Sequence, residues 1–255
     1  MERGQGILFV LAAAAGLAAC RADRARAPEG PAGPDRTASS SQAAGEPTPP
    51  PAAGAAPDGD AGEWQVLFDG RTLGGWTSRG GRYDGAALWI VEDGAITGVQ
   101  GPRGEGGLLY TDGVYDDFEL ELEARVGYPF DSGIFLRMLP PASGLKGVQV
   151  TIDNRPDGEV GALYADAFLT HNLEAKARFR RGEWNHFRVR CQGADFHVEA
   201  WMNGEKIADH APGAAGFARS GRIGLQVHGG QEVTAQSKAQ FRALRLRRLS
   251  DPSNR

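Results

Sequence analysis

The chain has 255 residues, with 28 lysines and arginines against 32 aspartates and glutamates, for a formal net charge of −4; that mild acidity argues against a nucleic-acid platform, which would be strongly basic. A length of this order allows one large domain or two small ones. Composition splits it: residues 1–62 are dominated by Ala, Gly and Pro, and only the part from Glu63 onward carries enough aromatic and β-branched residues to offset roughly 1–2 kcal/mol of chain entropy per ordered residue.

In chain order, Glu2 and Arg3 precede an apolar run from Ile7 to Ala19. It has the length of an export-signal core and is too short to span a bilayer comfortably. The run ends in Leu17-Ala18-Ala19-Cys20, which resembles the bacterial lipobox. That resemblance implies cleavage after residue 19, a lipidated Cys20 and a membrane-anchored chain in the cell envelope, either periplasmic or on the outer-membrane surface. The alternative is an ordinary secretory signal with a chance cysteine. Residues 20–62 read as a flexible to semi-extended tether, with Pro28-Glu29-Gly30-Pro31 and Pro47-Thr48-Pro49-Pro50-Pro51. The only other cysteine, Cys191, sits in a strand-like segment and is expected as a buried small apolar residue.

The globular part, 63–250, reads as strands, with 251–255 as a tail. Glu119–Val126 alternates charged and apolar residues, as a half-buried strand does. Gly133–Met138, Val148–Asp153, His186–Cys191, Phe196–Asn203, Ile223–Val227 and Phe241–Arg248 follow, separated by turn signals such as Asp93-Gly94, Asp157-Gly158, Asn203-Gly204 and Ser220-Gly221. No amphipathic helix longer than two turns is evident. Short strands at regular spacing indicate an all-β sandwich or barrel. The Asn203-Gly204 pair, between Phe196–Met202 and Glu205–Ala208, predicts a hairpin with a type I′ turn. Trp76, Trp89, Trp184 and Trp201 are expected mostly in the core, with one available for stacking on a sugar.

Several segments resemble, in order, those of the 3-keto-disaccharide hydrolase domain family. They are Leu67-Phe68-Asp69-Gly70-Arg71-Thr72-Leu73-Gly74-Gly75-Trp76, Trp89-Ile90-Val91-Glu92-Asp93-Gly94, Tyr115-Asp116-Asp117-Phe118-Glu119-Leu120, Asp131-Ser132-Gly133-Ile134-Phe135-Leu136-Arg137, Gly161-Ala162-Leu163-Tyr164, Glu183-Trp184-Asn185, Trp201-Met202-Asn203-Gly204 and Ile223-Gly224-Leu225-Gln226-Val227-His228-Gly229. The resemblance covers about 65–249. It implies a concanavalin-A-like jelly-roll β-sandwich acting on 3-keto-glycosides, with a carbohydrate substrate and room for a divalent metal. A ketone at C3 acidifies the hydrogen at C2, so losing that proton lets the group on C1 leave. Such a route needs a base near C2, a cation or donor at the C3 oxygen, and an acid for the leaving oxygen.

The residues able to supply those parts are dispersed. His228 is the first candidate, as base or metal ligand, because an imidazole titrates near neutrality; it shares a strand face with Gln226. Asp131 and Asp153 are candidate acids or bases, Asp153 alternatively capping a turn. Arg137 is expected either to bind sugar oxygens or to form a structural pair with Asp131. Gln149, Thr151 and Asp153 share one strand face; where the family reads Gly-Tyr-Glu-Val-Gln-Ile, this chain has Gly147-Val148-Gln149-Val150-Thr151-Ile152, and Gln149 cannot be a base. Tyr164 and His171 complete the substrate-binding candidates, both also explicable as ordinary core or surface residues. Two rival readings stand beside the enzyme: a non-catalytic carbohydrate-binding module, favoured by Gln149, and an adhesive envelope lipoprotein, which requires no polar pocket.

Overall fold

The computed structural model describes residues 62–232 and 234–250. The signal at 1–19, Cys20 with its lipidation, nearly all of the 20–62 tether and the 251–255 tail lie outside them.

Among the described residues the chain forms fifteen strands: β1 Gln65–Val66, β2 Trp76–Thr77, β3 Leu88–Glu92, β4 Ala95–Val99, β5 Gly107–Thr111, β6 Phe118–Val126, β7 Asp131–Met138, β8 Val148–Asp153, β9 Val160–Tyr164, β10 Phe168–Thr170, β11 Asn185–Gln192, β12 His197–Met202, β13 Glu205–His210, β14 Arg222–Val227 and β15 Lys238–Arg248. Helix among these residues is confined to two short 3-10 turns, Pro141–Ser143 and Ala175–Arg178.

Every strand pairing is antiparallel, in two sheets. One runs β13-β12-β11-β6-β15-β4-β3, with β1 paired beside β15; the other runs β10-β9-β8-β7-β14-β5-β2. The last two long strands, β14 and β15, therefore lie in opposite sheets. This is the all-β two-sheet sandwich that the strand spacing implies. The register of β6 shows why it forms. Phe118, Leu120, Leu122, Ala124 and Val126 point inward and are buried, while Glu119, Glu121, Glu123 and Arg125 line the outer face. Facing them across the core are Ile134 and Leu136 of β7, Val148, Val150 and Ile152 of β8, and Ile223 and Leu225 of β14. Cys191 is buried among them, as expected, and burial pushes its thiol up to about 12. Asp93-Gly94 and Asn203-Gly204 make their hairpins with both residues at positive φ, as a type I′ turn requires.

The outer face of the first sheet is an ion lattice. The glutamates of β6 lie between arginines of β11 and β15: Glu119 accepts from Arg190 and Arg247, Glu121 from Arg245, and Glu123 from Arg242. Trp184 and Trp201 belong to this face and not to the core. Arg125 and Arg242 stack on Trp184, and Arg188 and Lys206 on Trp201. Their indoles roof the sheet beneath cations, which leaves neither free as a sugar platform.

The two ends of the described chain meet. The Gly62 amide donates to the Arg248 carbonyl, and the Leu249 amide to Asp117, beside the Phe118 end of β6.

A polar cavity on the outer face of the second sheet

Alternation in the second sheet sends one set of residues outward from the core. Asp131, Gly133 and Phe135 of β7 sit opposite Asp153, Thr151 and Gln149 of β8. On the other side of β7, Gly224 pairs with Phe135, and the His228 amide donates to the Asp131 carbonyl. Gln226 thus lies level with Gly133, and Leu108 of β5 pairs beside it. On the other flank Tyr164 of β9 pairs with Gln149. All of these but Gly133 and Gly224 line a cavity of about 460 Å³, within the usual range for small-molecule sites.

The cavity is graded along the strands. Asp131, Asp153, Arg155 and His228 gather at one end. Asp131 is only 7% exposed, and its Oδ2 lies 3.1 Å from Arg155 Nη2 and 3.8 Å from His228 Nε2. Arg155 also clamps Asp153, through Nε to Oδ1 at 2.9 Å and Nη2 to Oδ2 at 2.6 Å. Burial, and then the neighbouring Asp153 carboxylate, raise the Asp131 pKa to about 6 against the opposing pull of His228 and Arg155. The bond to Asp153 in turn raises the Arg155 pKa. His228 Nδ1 lies 2.8 Å from the Gly229 carbonyl, an acceptor only. The ring hydrogen therefore sits on Nδ1, and the lone pair of the neutral ring on Nε2, toward Asp131. Glycine makes this wall possible: a β carbon on Gly106 would meet Gly229 N at 2.4 Å, so the two loops approach at backbone distance.

Arg155 is held by the turn after β8. The Lys176 ammonium donates to the carbonyls of Arg155, Pro156 and Gly158, tying that turn to the Ala175–Arg178 segment. Glu159, just beyond it, lines the cavity. It takes a hydrogen bond from His171 Nδ1 at 2.8 Å and another from the Asn172 amide. His171 does not line the cavity itself; it touches two residues that do, Glu159 through this bond and Phe168 through a ring contact at 4.6 Å. In the middle of the floor Gln149 Nε2 donates to Gln226 Oε1 at 2.8 Å. The bridge passes over Gly133, whose absent β carbon would lie 2.3 Å from that nitrogen. The far end is aromatic: Phe135, Tyr83, Tyr164 and Phe168.

The sequence candidates divide accordingly. Asp131, Asp153, His228, Gln149, Gln226 and Tyr164 all line one cavity. Arg137 does not. By alternation from Phe135 it would face the cavity, but two residues of β7, Leu136 and Arg137, stand opposite Ile223 alone between the Phe135–Gly224 and Met138–Arg222 pairs. At this bulge Arg137 takes a φ of 50° and turns inward. It is fully buried, with Nη2 2.7 Å from Asp117, Nε on the Asp116 carbonyl and Nη1 on the Gly193 carbonyl. The structural pair is real, but its acid is Asp117; the arginine beside Asp131 is Arg155. Arg155, Glu159, Phe135, Tyr83 and Phe168 line the same cavity and lie outside the sequence candidates. A basic residue two positions past Asp153, at a strand end, was the available signal for Arg155.

The resemblance implies room for a divalent metal. Among the described residues no group of three or more His, Cys, Asp or Glu side chains converges as metal ligands. The oxygens of Asp131 and Asp153 face the Arg155 guanidinium instead. This donor set suits an organic cation and does not fit a metal.

Comparison with known proteins places the fold and the sequence in one context. An 81-residue stretch, 30% of this chain, is 38% identical to the 3-keto-disaccharide hydrolase of Bacteroides thetaiotaomicron and spans 28% of that protein's length. The crystal structure of a candidate glycosyl hydrolase from Parabacteroides distasonis shares the fold with a TM-score of 0.56 at 22% identity, covering 73% of this chain and 100% of that one. A Bacillus subtilis protein of unknown function with a galectin-like fold gives 0.54 at 10% identity, over 76% and 98%. Residues 63–247, from just before β1 to within β15, match the family described as 3-keto-alpha-glucoside-1,2-lyase-like domains, and the chain belongs to that family.

Proposed function

We propose that this chain cleaves the glycosidic bond of sugars carrying a ketone at C3, by elimination followed by hydration. Asp131 carries the reading. Its carboxyl, raised to about 6, stands on a cavity wall between a guanidinium and an imidazole whose free nitrogen faces it.

With the C3 ketone at Arg155, whose Nη1 has no partner among the described residues, charge developing on that oxygen meets a fixed cation. The C2 hydrogen then lies toward the Asp131–His228 pair, which takes it. The C1–O bond breaks, a C1–C2 double bond forms, and the pair passes the proton it has taken to the leaving oxygen. Water then adds at C1, its released proton goes to the pair, and the pair delivers that proton to C2, so the net reaction is hydrolysis and the hydrogen at C2 comes from solvent. The pair's apparent pKa values belong to both groups together.

The test is turnover of methyl 3-keto-glucoside by the full chain in D2O, followed by NMR. The expected result is methanol release with deuterium at C2 of the sugar product, slowed about 10²–10⁴-fold in His228→Ala. Release without deuterium means direct displacement and ends the elimination route. The second reading, a binding module, has one observation in its favour: the amides of Gln149 and Gln226 satisfy each other where the family has a Glu. No release, together with calorimetric binding of unoxidised glycans, establishes it instead.

A further inference from the structure

The charged end of the cavity accounts for the ring that reacts. The opposite end has a chemistry of its own, and it answers what leaves. Asp131 and Phe135 are four residues apart on β7, so about 13 Å separates their levels along the strand. That is room for a pyranose ring and a second group beyond it. With the C3 oxygen at Arg155 and C2 at Asp131 and His228, the space left for the substituent on C1 is the rest of the cavity, past the Gln149–Gln226 bridge to the Phe135 level.

There the walls are rings. Tyr83 lies 5.8 Å from Phe135 at 60°, and Tyr164 lies 5.4 Å from Phe168 at 79°. Rings tilted against each other make the sides of a box, whereas a single sugar-stacking platform is one flat face. Leu108 closes the floor, and Phe168, 48% exposed and backed on one side by the His171 ring at 4.6 Å, and Tyr83, 38% exposed, stand at the rim. Polar atoms at this level are already engaged. Tyr83 Oη donates to Asp166 at 3.0 Å, and Asp166 also takes Arg82 and Lys146; the Tyr110 hydroxyl accepts from the Tyr83 amide. Of the cavity's far-end hydroxyls only that of Tyr164 has no partner among the described residues. A second pyranose would bring several hydroxyls to a place that offers them one, and each left unpaired costs about 1–3 kcal/mol. A flat aromatic ring brings none, and its edges and faces suit tilted neighbours.

We infer that the far end of the cavity is a leaving-group site for an aromatic ring, so that aryl-bearing 3-keto-glycosides are preferred over 3-keto-disaccharides. The inference rests on the reaction proposed above. Two rings reach the site from separate segments, Tyr83 from a loop and Phe168 from the start of β10, and Asp166 in the β9–β10 turn fastens the Tyr83 loop against it.

The experiment compares kcat/KM of the full chain for benzyl and glucosyl 3-keto-glucosides of one anomer. A benzyl alcohol leaves through an alkanol oxygen, as a sugar does, so differences in leaving-group acidity stay small. The benzyl compound is expected to be favoured about 10–100-fold, with Phe168→Ala bringing the ratio most of the way to one. Equal rates, a preference for the disaccharide, or a ratio that Phe168→Ala does not move overturns the aromatic site. If methyl 3-keto-glucoside is not turned over at all, the proposed reaction fails separately. Calorimetry with benzyl glucoside and the matching unoxidised disaccharide then decides the site, tighter benzyl binding supporting it and equal or weaker binding overturning it.

Discussion

Asp131 concentrates the chemistry of the cavity in one carboxyl, and its environment fixes a sign that can be measured. Its folded pKa of about 6 stands above the ordinary value near 3.9, so between those values the folded state binds more protons than the unfolded one. The stability this group contributes is present below about pH 4 and is lost as pH rises to about 6. Asp131→Asn removes the titration. The variant is expected to be about 1–3 kcal/mol more stable than the parent at pH 8, with the difference shrinking toward pH 4, in urea melts across that range. The same variant lacks the base and loses turnover, so stability and activity move in opposite directions, as happens where a site is held in an unfavourable state for its function. Asp131, Asp153, Gln149, Gln226 and His228 were legible in sequence because each recurs at every second position of a strand, where one face is one surface. Arg155 and Glu159 lie in and just after the turn that ends β8, where that period stops. Phe135, Tyr83 and Phe168 carry no polar signal, and an aromatic ring in a strand reads as core.

At the scale of elements, the bulge in β7 separates what faces the ligand from what holds the sandwich. Before it the strand alternates between cavity and core; after it Arg137 is driven inward beneath the Phe196 ring, 4.8 Å away. Arg137→Met keeps the volume but takes from Asp117, 2% exposed, the buried one of its two arginines, Arg219 remaining at 2.6 Å, and leaves the Asp116 and Gly193 carbonyls without that donor. The expected cost is about 3–5 kcal/mol, read as a lowered urea midpoint. kcat/KM per folded molecule stays near the parent value, because Arg137 lies outside the cavity; a collapse of turnover in fully folded protein would instead put Arg137 in contact with substrate. Long strands such as β6 and β11 declare themselves by alternation, and the hairpin turns by Asp-Gly and Asn-Gly. The short β5, β9 and β10 do not, since Gly161-Ala162-Leu163 and Leu108-Leu109-Tyr110 are apolar on both faces. The bulge has no sequence signature, and for that reason Arg137 was misplaced.

For the whole molecule, the core between the sheets sets access to Cys191. Its thiol is 0% exposed and held as the neutral form by burial, so a reagent reaches it only when the sheets part. In a Cys20→Ser chain, pulse labelling of Cys191 along a urea gradient is expected to follow the fluorescence midpoint; labelling well below that midpoint would reveal separate opening of one sheet edge. The pairing of the Gly62 amide with the Arg248 carbonyl has a consequence of another kind. Gly62 and Arg248 both sit at the Phe118 end of β6, whereas Asp131 follows the turn leaving its Val126 end, roughly 26 Å away at about 3.3 Å per residue. A bead, chip or fusion partner joined next to Gly62 or next to Ser250 therefore leaves the reactive carboxyl facing outward into the bulk. The two positions are interchangeable as handles, and neither shadows the chemistry.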